Sequence, residues 1–145
     1  MRVLIVEDDA TNRAMLERAL RSAIRPCSRC SITTAFEVHS VTTAADARIR
    51  LSKAHAYDFV LYDIMVDSQQ HAMLSFLQDL RIPFAAIATR DMPNMPESVS
   101  DTDPLWNMVG HLGMDLVTRI CDRYREVTEA RRKPSIRQRM MACCG

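Results

Sequence analysis

The sequence predicts an α/β domain: a parallel β-sheet with helices packed on both faces. Two observations carry this. Val3-Leu4-Ile5-Val6 and Phe59-Val60-Leu61-Tyr62 are short, uninterrupted apolar runs, the pattern of strands buried on both faces. Between and after them come segments with apolar residues at three- and four-residue spacing, the pattern of amphipathic helices. Strands alternating with helices imply parallel pairing and covered faces.

The elements follow in order. Residues 2–7 read as the first strand. Asp9 or Thr11 can cap the next helix, where Leu16, Leu20 and Ile24 recur every fourth residue until Pro26 ends it. Residues 25–35 are polar and read as a loop. Phe36 to Val41 reads as a strand, and Ala44 to Ala56 as a helix with Ala47, Leu51 and Ala54 on one side. Asp58 to Met65 is the next strand. Met73, Phe76, Leu77 and Leu80 form a helical stripe, and Pro83 opens an apolar strand through Ala88. Two prolines in residues 90–96 require a loop. Leu105 to Leu112 reads as a helix, Leu116 to Ile120 as a fifth strand and Cys121 to Lys133 as a last helix. The whole is a five-fold βα arrangement over residues 1–133, followed by a basic tail, 134–145.

Composition narrows the function. The chain has 145 residues, 48% of them hydrophobic, which suits one domain with a sizeable core. No stretch approaches a membrane span, and the first strand leaves no room for a signal peptide. A net charge of +1 argues against a general nucleic-acid binder. From Arg119 to Arg139 eight basic residues face three acids, so this end is either a solvated helix and tail or a contact surface. Five cysteines, an odd number, fit reduced thiols and a cytoplasmic location. Cys27 and Cys30 have the spacing of half a zinc or redox site, but no second half follows.

The chemistry concentrates where the two apolar strands stop. The first ends on Glu7, Asp8 and Asp9, the other on Asp63. In open α/β sheets ligands bind off the carboxyl ends of the strands. Carboxylates gathered there repel one another and call for a cation, and hard oxygen ligands suit Mg²⁺. Asp9 serves equally well as a helix cap.

Arg2-Val-Leu-Ile-Val-Glu-Asp-Asp9 and Tyr57-Asp-Phe-Val-Leu-Tyr-Asp-Ile-Met65, in this order on a βα framework, resemble the response-regulator receiver domains of two-component signalling. The resemblance covers residues 2–133. It implies a flavodoxin-like fold with strand order 2-1-3-4-5. It also implies that Asp63 accepts a phosphoryl group from a histidine kinase or phosphotransfer protein. Glu7, Asp8, Asp63 and the backbone carbonyl of Met65 would then hold Mg²⁺. Such a domain accepts a phosphoryl group rather than turning over a substrate. It switches binding to an output partner, or to a second copy in a homodimer, through the fourth and fifth strands and the helix between them. Met92, Met95, Trp106, Met108 and Met114 fall in that region.

Four departures from the family pattern stand out. The Ser or Thr at the end of the fourth strand is Ala88; Thr89 comes one position late, a slip that points it away unless a bulge restores it. The Lys-Pro ending the fifth strand is missing, and Arg119 is the nearest substitute. The usual proline and glycine after the acceptor are Asp67 and His71. Asp8 and Asp63 are 55 positions apart, a surplus that fits the loop around Cys27 and Cys30. These departures raise an alternative: a degenerate receiver that binds a partner as an adaptor, independent of phosphorylation.

Overall fold

The computed structural model describes residues 1–22, 36–53, 56–66, 70–88, 98–100, 103–107 and 115–132. Strand β1 (Arg2–Val6) leads into helix α1 (Ala10–Arg21), β2 (Glu37–Val41), α2 (Ala44–Leu51), β3 (Phe59–Asp63), α3 (Gln70–Leu80) and β4 (Phe84–Ala88). Two further strands follow, β5 (Ser98–Ser100) and β6 (Asp103–Asn107), and then the long helix α4 (Asp115–Arg132). The sheet order is β2-β1-β3-β4-β6-β5. The first five strands of that order pair in parallel, and β5 adds an antiparallel edge against β6. With β6 as the fifth parallel strand, the 2-1-3-4-5 order stands.

Strand alternation divides the core into two layers. On one face, Leu4, Val6, Val60, Tyr62, Phe84, Ala86 and Ala88 pack with Ala47 and Leu51 of α2 and with Met73 and Leu77 of α3. On the other, Val3, Ile5, Phe59, Leu61, Ala85, Ile87 and Trp106 pack with Leu16 and Leu20 of α1 and with Leu116 and Ile120 of α4. Helices therefore cover both faces, which is why β1, β3 and β4 carry continuous apolar runs instead of alternating ones.

The C-terminal third corrects the sequence reading. Residues 116–120 are not a strand but lie in the first turns of α4. Val117, Thr118 and Ile120 give the segment a local β preference. Yet Leu116 and Ile120, four apart, are both fully buried, and that spacing is the helical one. The fifth parallel strand is instead β6, where residues 105–107, read above as the start of a helix, pair with Ala86, Ile87 and Ala88. Pro104 lies outside that ladder and is registered with Ser98 of β5, so its missing N–H does not interrupt the parallel pairing. Trp106 is a core residue, stacked 6.4 Å from Phe59 and 8% exposed. The loop at 25–35, with Cys27 and Cys30, lies outside the described residues, as do Asp67, Met92, Met95, Met108, Met114 and the tail. Cys121 is buried on α4. Among the described residues, no helix is long and apolar enough to cross a membrane.

Candidate metal and phosphoacceptor site

Strand register builds the site. β1 and β3 pair from Val3↔Phe59 to Val6↔Tyr62, so the next step brings Glu7 level with Asp63. Both acids continue the odd-numbered rows, Val3–Ile5–Glu7 and Phe59–Leu61–Asp63. Two parallel strands in register thus deliver two carboxylates to one point at the edge of the core. Both residues are fully buried, and they are the charged residues found in the interior among the described residues. Asp8, one residue further along, is exposed. One carboxylate oxygen from each of Glu7, Asp8 and Asp63 lies within 4.8 Å of the others.

The backbone around them fixes the cluster. The Met65 N–H donates to Asp63 Oδ1 at 2.9 Å, and the Asp9 N–H donates to Glu7 Oε1 at 3.1 Å. The Glu7 N–H donates to the Val41 carbonyl at 3.1 Å, which ties the end of β1 to β2. Arg13, on the first turns of α1, donates from one guanidinium nitrogen to the Glu7 carbonyl (2.9 Å) and the Asp8 carbonyl (3.1 Å). A cation held there steadies the acid-bearing turn without occupying its carboxylates. The sequence reading missed Arg13. A lone arginine one turn into a helix gives no signal until the turn beside it is in place.

The donor set fits a hard divalent cation. Three carboxylates, two of them with no access to water, converge closely enough to share one ion. An oxygen-only site with one exposed carboxylate, Asp8, suits Mg²⁺, which keeps several waters and needs few protein ligands.

The remaining sequence candidates fall into place or out of it. Asp9 is the N-cap of α1: its Oδ1 accepts from the Thr11 N–H (2.9 Å) and the Asn12 N–H (2.8 Å). Ala88 is buried in the layer facing α2 and α3, whereas Asp63 continues the row facing α1 and α4. Ile87 is the β4 residue in register with Asp63. Thr89 lies outside the described residues. Arg119 is on the exposed side of α4, not at the end of a strand. The placement that gave it the lysine's role therefore does not hold. The residue aligned with Ala88 on the fifth parallel strand is Asn107. Met65 follows β3 in a turn and is 44% exposed.

The same architecture is found in solved structures. A receiver domain of a Francisella response regulator superposes with a TM-score of 0.63 at 14% identity, covering 86% of this chain and 97% of that one. The N-terminal domain of a response regulator/sensory box/GGDEF three-domain protein from Carboxydothermus hydrogenoformans gives 0.62 at 16% identity, covering 92% and 100%. The chain has the receiver fold. The signal receiver domain of a Luxo repressor protein from Vibrio parahaemolyticus agrees, with a TM-score of 0.64 at 14% identity over 89% of this chain and 93% of that receiver. No family model and no curated protein matches the sequence. At such identities the receiver likeness lies in the backbone path. The acids at the ends of β1 and β3 make the case for chemistry.

Proposed function

We propose that this receiver-fold chain is a phosphoacceptor of a two-component or phosphorelay pathway, with Asp63 as the acceptor. The observation that supports this most is the burial of Glu7 and Asp63 together, within 4.8 Å of each other and of Asp8. Two buried carboxylates side by side are costly to a fold. A site that takes up a cation and a phosphoryl group gives them a use.

In the step envisaged, an Asp63 carboxylate oxygen forms a bond to phosphorus. The bond from phosphorus to the donor breaks, and the donor leaves with the electron pair: a histidine nitrogen in a kinase or phosphotransfer protein, an acetate oxygen in acetyl phosphate. Glu7, Asp8, Asp63 and the Met65 carbonyl would hold Mg²⁺, which supplies the positive charge that lets a carboxylate approach a phosphoryl dianion. The chain's own groups orient the acceptor. The Met65 N–H fixes the rotation of the Asp63 carboxylate, and Arg13 holds the turn carrying Glu7 and Asp8. For the hydroxyl that meets the phosphoryl group we favour Thr89. The row of β4 on Asp63's face is Ala85 and Ile87, which offers no hydroxyl of its own.

The sequence at the end of β6, Asn107-Met108, offers no lysine. That departure keeps the adaptor reading in view, and phosphorylation separates the two. Incubation with acetyl phosphate and Mg²⁺ should add the mass of one phosphoryl group, lost in EDTA and in Asp63→Asn. No mass gain under conditions that phosphorylate a known receiver would favour the adaptor.

A further inference from the structure

A cavity lies at the opposite end of the sheet from the acids. It opens beside the amino ends of β3 and β4, has a volume of about 510 Å³, and is lined by Lys53, Tyr57, Arg81, Tyr124 and Arg131 among others. That volume is within the roughly 300–1,000 Å³ of small-molecule sites. Its apolar wall is Leu51, Leu80, Ile82 and Pro83. A smaller cavity of about 250 Å³ adjoins it and shares Arg81, Ile82, Pro83 and Arg131.

The charge at this cavity is one-sided. Among the described residues, no ion pair or hydrogen bond engages the side chains of Lys53, Arg81 or Arg131, and all three are exposed. The acid in the lining is Asp58, whose Oδ2 already accepts from the Arg2 N–H at 2.7 Å. Part of the positive charge offsets helix dipoles, because α2, α3 and α4 all end here and each end carries about half a negative charge. Arg81 does more than that task needs. Its φ is 56°, the left-handed region, and it is not a glycine. The helix-ending bond from its N–H to the Gln78 carbonyl (3.0 Å) would form equally well with glycine. An arginine there costs roughly 1 kcal/mol of backbone strain. An arginine inside α3 would compensate the dipole without that cost. The strained position instead places Arg81 in the wall common to both cavities.

The two tyrosines come from different layers. Tyr57 packs against the core shared with α2 and α3, and Tyr124 against the core shared with α1 and α4. Both line the cavity beside its apolar wall, Tyr57 held in place by its hydroxyl on His39 Nδ1 at 3.0 Å and by an edge-to-face contact with that ring. Aromatic and apolar side chains suit a flat ring, and guanidinium forks suit phosphate oxygens. We propose that this cavity binds a nucleoside diphosphate, its ring on the apolar wall between Tyr57 and Tyr124 and its phosphates on Lys53, Arg81 and Arg131. The proposal stands independently of phosphorylation at Asp63.

Calorimetric titration of the full chain with ADP in EDTA, which keeps the acid site free of metal, tests it. ADP should bind at least about tenfold more tightly than either adenosine or pyrophosphate. Arg81→Gly and Arg131→Gln should each weaken ADP by about tenfold, the loss expected for one charge-assisted hydrogen bond. Glycine relieves the positive φ, so Arg81→Gly should fold with the parent's circular-dichroism spectrum and a Tm no lower than the parent's. No ADP binding at concentrations on the order of a millimolar, pyrophosphate binding as tightly as ADP, or unchanged affinity in both variants would each overturn the proposal.

Discussion

Replacing Asp63 by asparagine should stabilise the metal-free protein and remove most of its response to Mg²⁺. Glu7 and Asp63 are both fully buried. At the 4.8 Å limit on their separation, two unit charges repel by about 3.5 kcal/mol at an effective dielectric constant of about 20. The asparagine oxygen can keep the 2.9 Å bond from the Met65 N–H, but its amide group needs a new acceptor, which takes back about 1–2 kcal/mol. The net gain is about 2 kcal/mol, or roughly 5 °C in Tm for a domain of this size. With Mg²⁺ at about 100 times its Kd, the parent should gain about 2.7 kcal/mol by mass action, and the variant far less. Thermal melts followed by circular dichroism, in EDTA and in Mg²⁺, read both effects. A variant that melts below the parent in EDTA, or one that keeps the parent's full Mg²⁺ shift, would refute the view that these carboxylates are strained by proximity and relieved by a shared cation.

Two further outcomes follow from the same geometry. Asp8→Ala should abolish Mg²⁺ binding with little loss of fold, because it removes an exposed acid from a mutually repelling group; unchanged affinity by calorimetry would remove Asp8 from the site. Asp9→Ala should cost about 1 kcal/mol through loss of the cap on two N–H groups of α1, while Mg²⁺ affinity stays within about twofold. A chemical-denaturation midpoint equal to the parent's would show that the cap contributes nothing.

The strands that carry the acids could be read from the sequence because burial on both faces leaves Val3–Val6 and Phe59–Tyr62 without a charged residue. Their ends were equally clear, since Glu7 and Asp63 interrupt apolar runs. Helices α1 to α3 followed from four-residue spacing of residues such as Leu16 and Leu20. The reading failed where local preference and tertiary packing disagree. Leu-Val-Thr-Arg-Ile has the β-branched content of a strand, but Leu116 and Ile120 bury one helical face against β4 and α1. Asp-Pro-Leu-Trp-Asn has proline and two turn-forming residues, so its strand character comes from the ladder with β4 and not from propensity. That error moved the lysine's place onto Arg119. The relation between Asp63 and Ala88 also needed coordinates, because counting from Pro83 does not tell which face a strand residue occupies. Nor did the cavity at the far end of the sheet leave a trace in the sequence. Lys53, Arg81 and Arg131 come from three helix ends that only the fold brings together.

The most direct test of the central claim is to locate the phosphoryl group. After treatment with acetyl phosphate and Mg²⁺, borohydride reduces an acyl phosphate on aspartate to homoserine, and peptide mass spectrometry reads the position. Homoserine at residue 63, absent when Mg²⁺ is chelated, is the expected result. Reduction at another aspartate, or none at all in folded protein, would contradict the assignment of Asp63 as the acceptor.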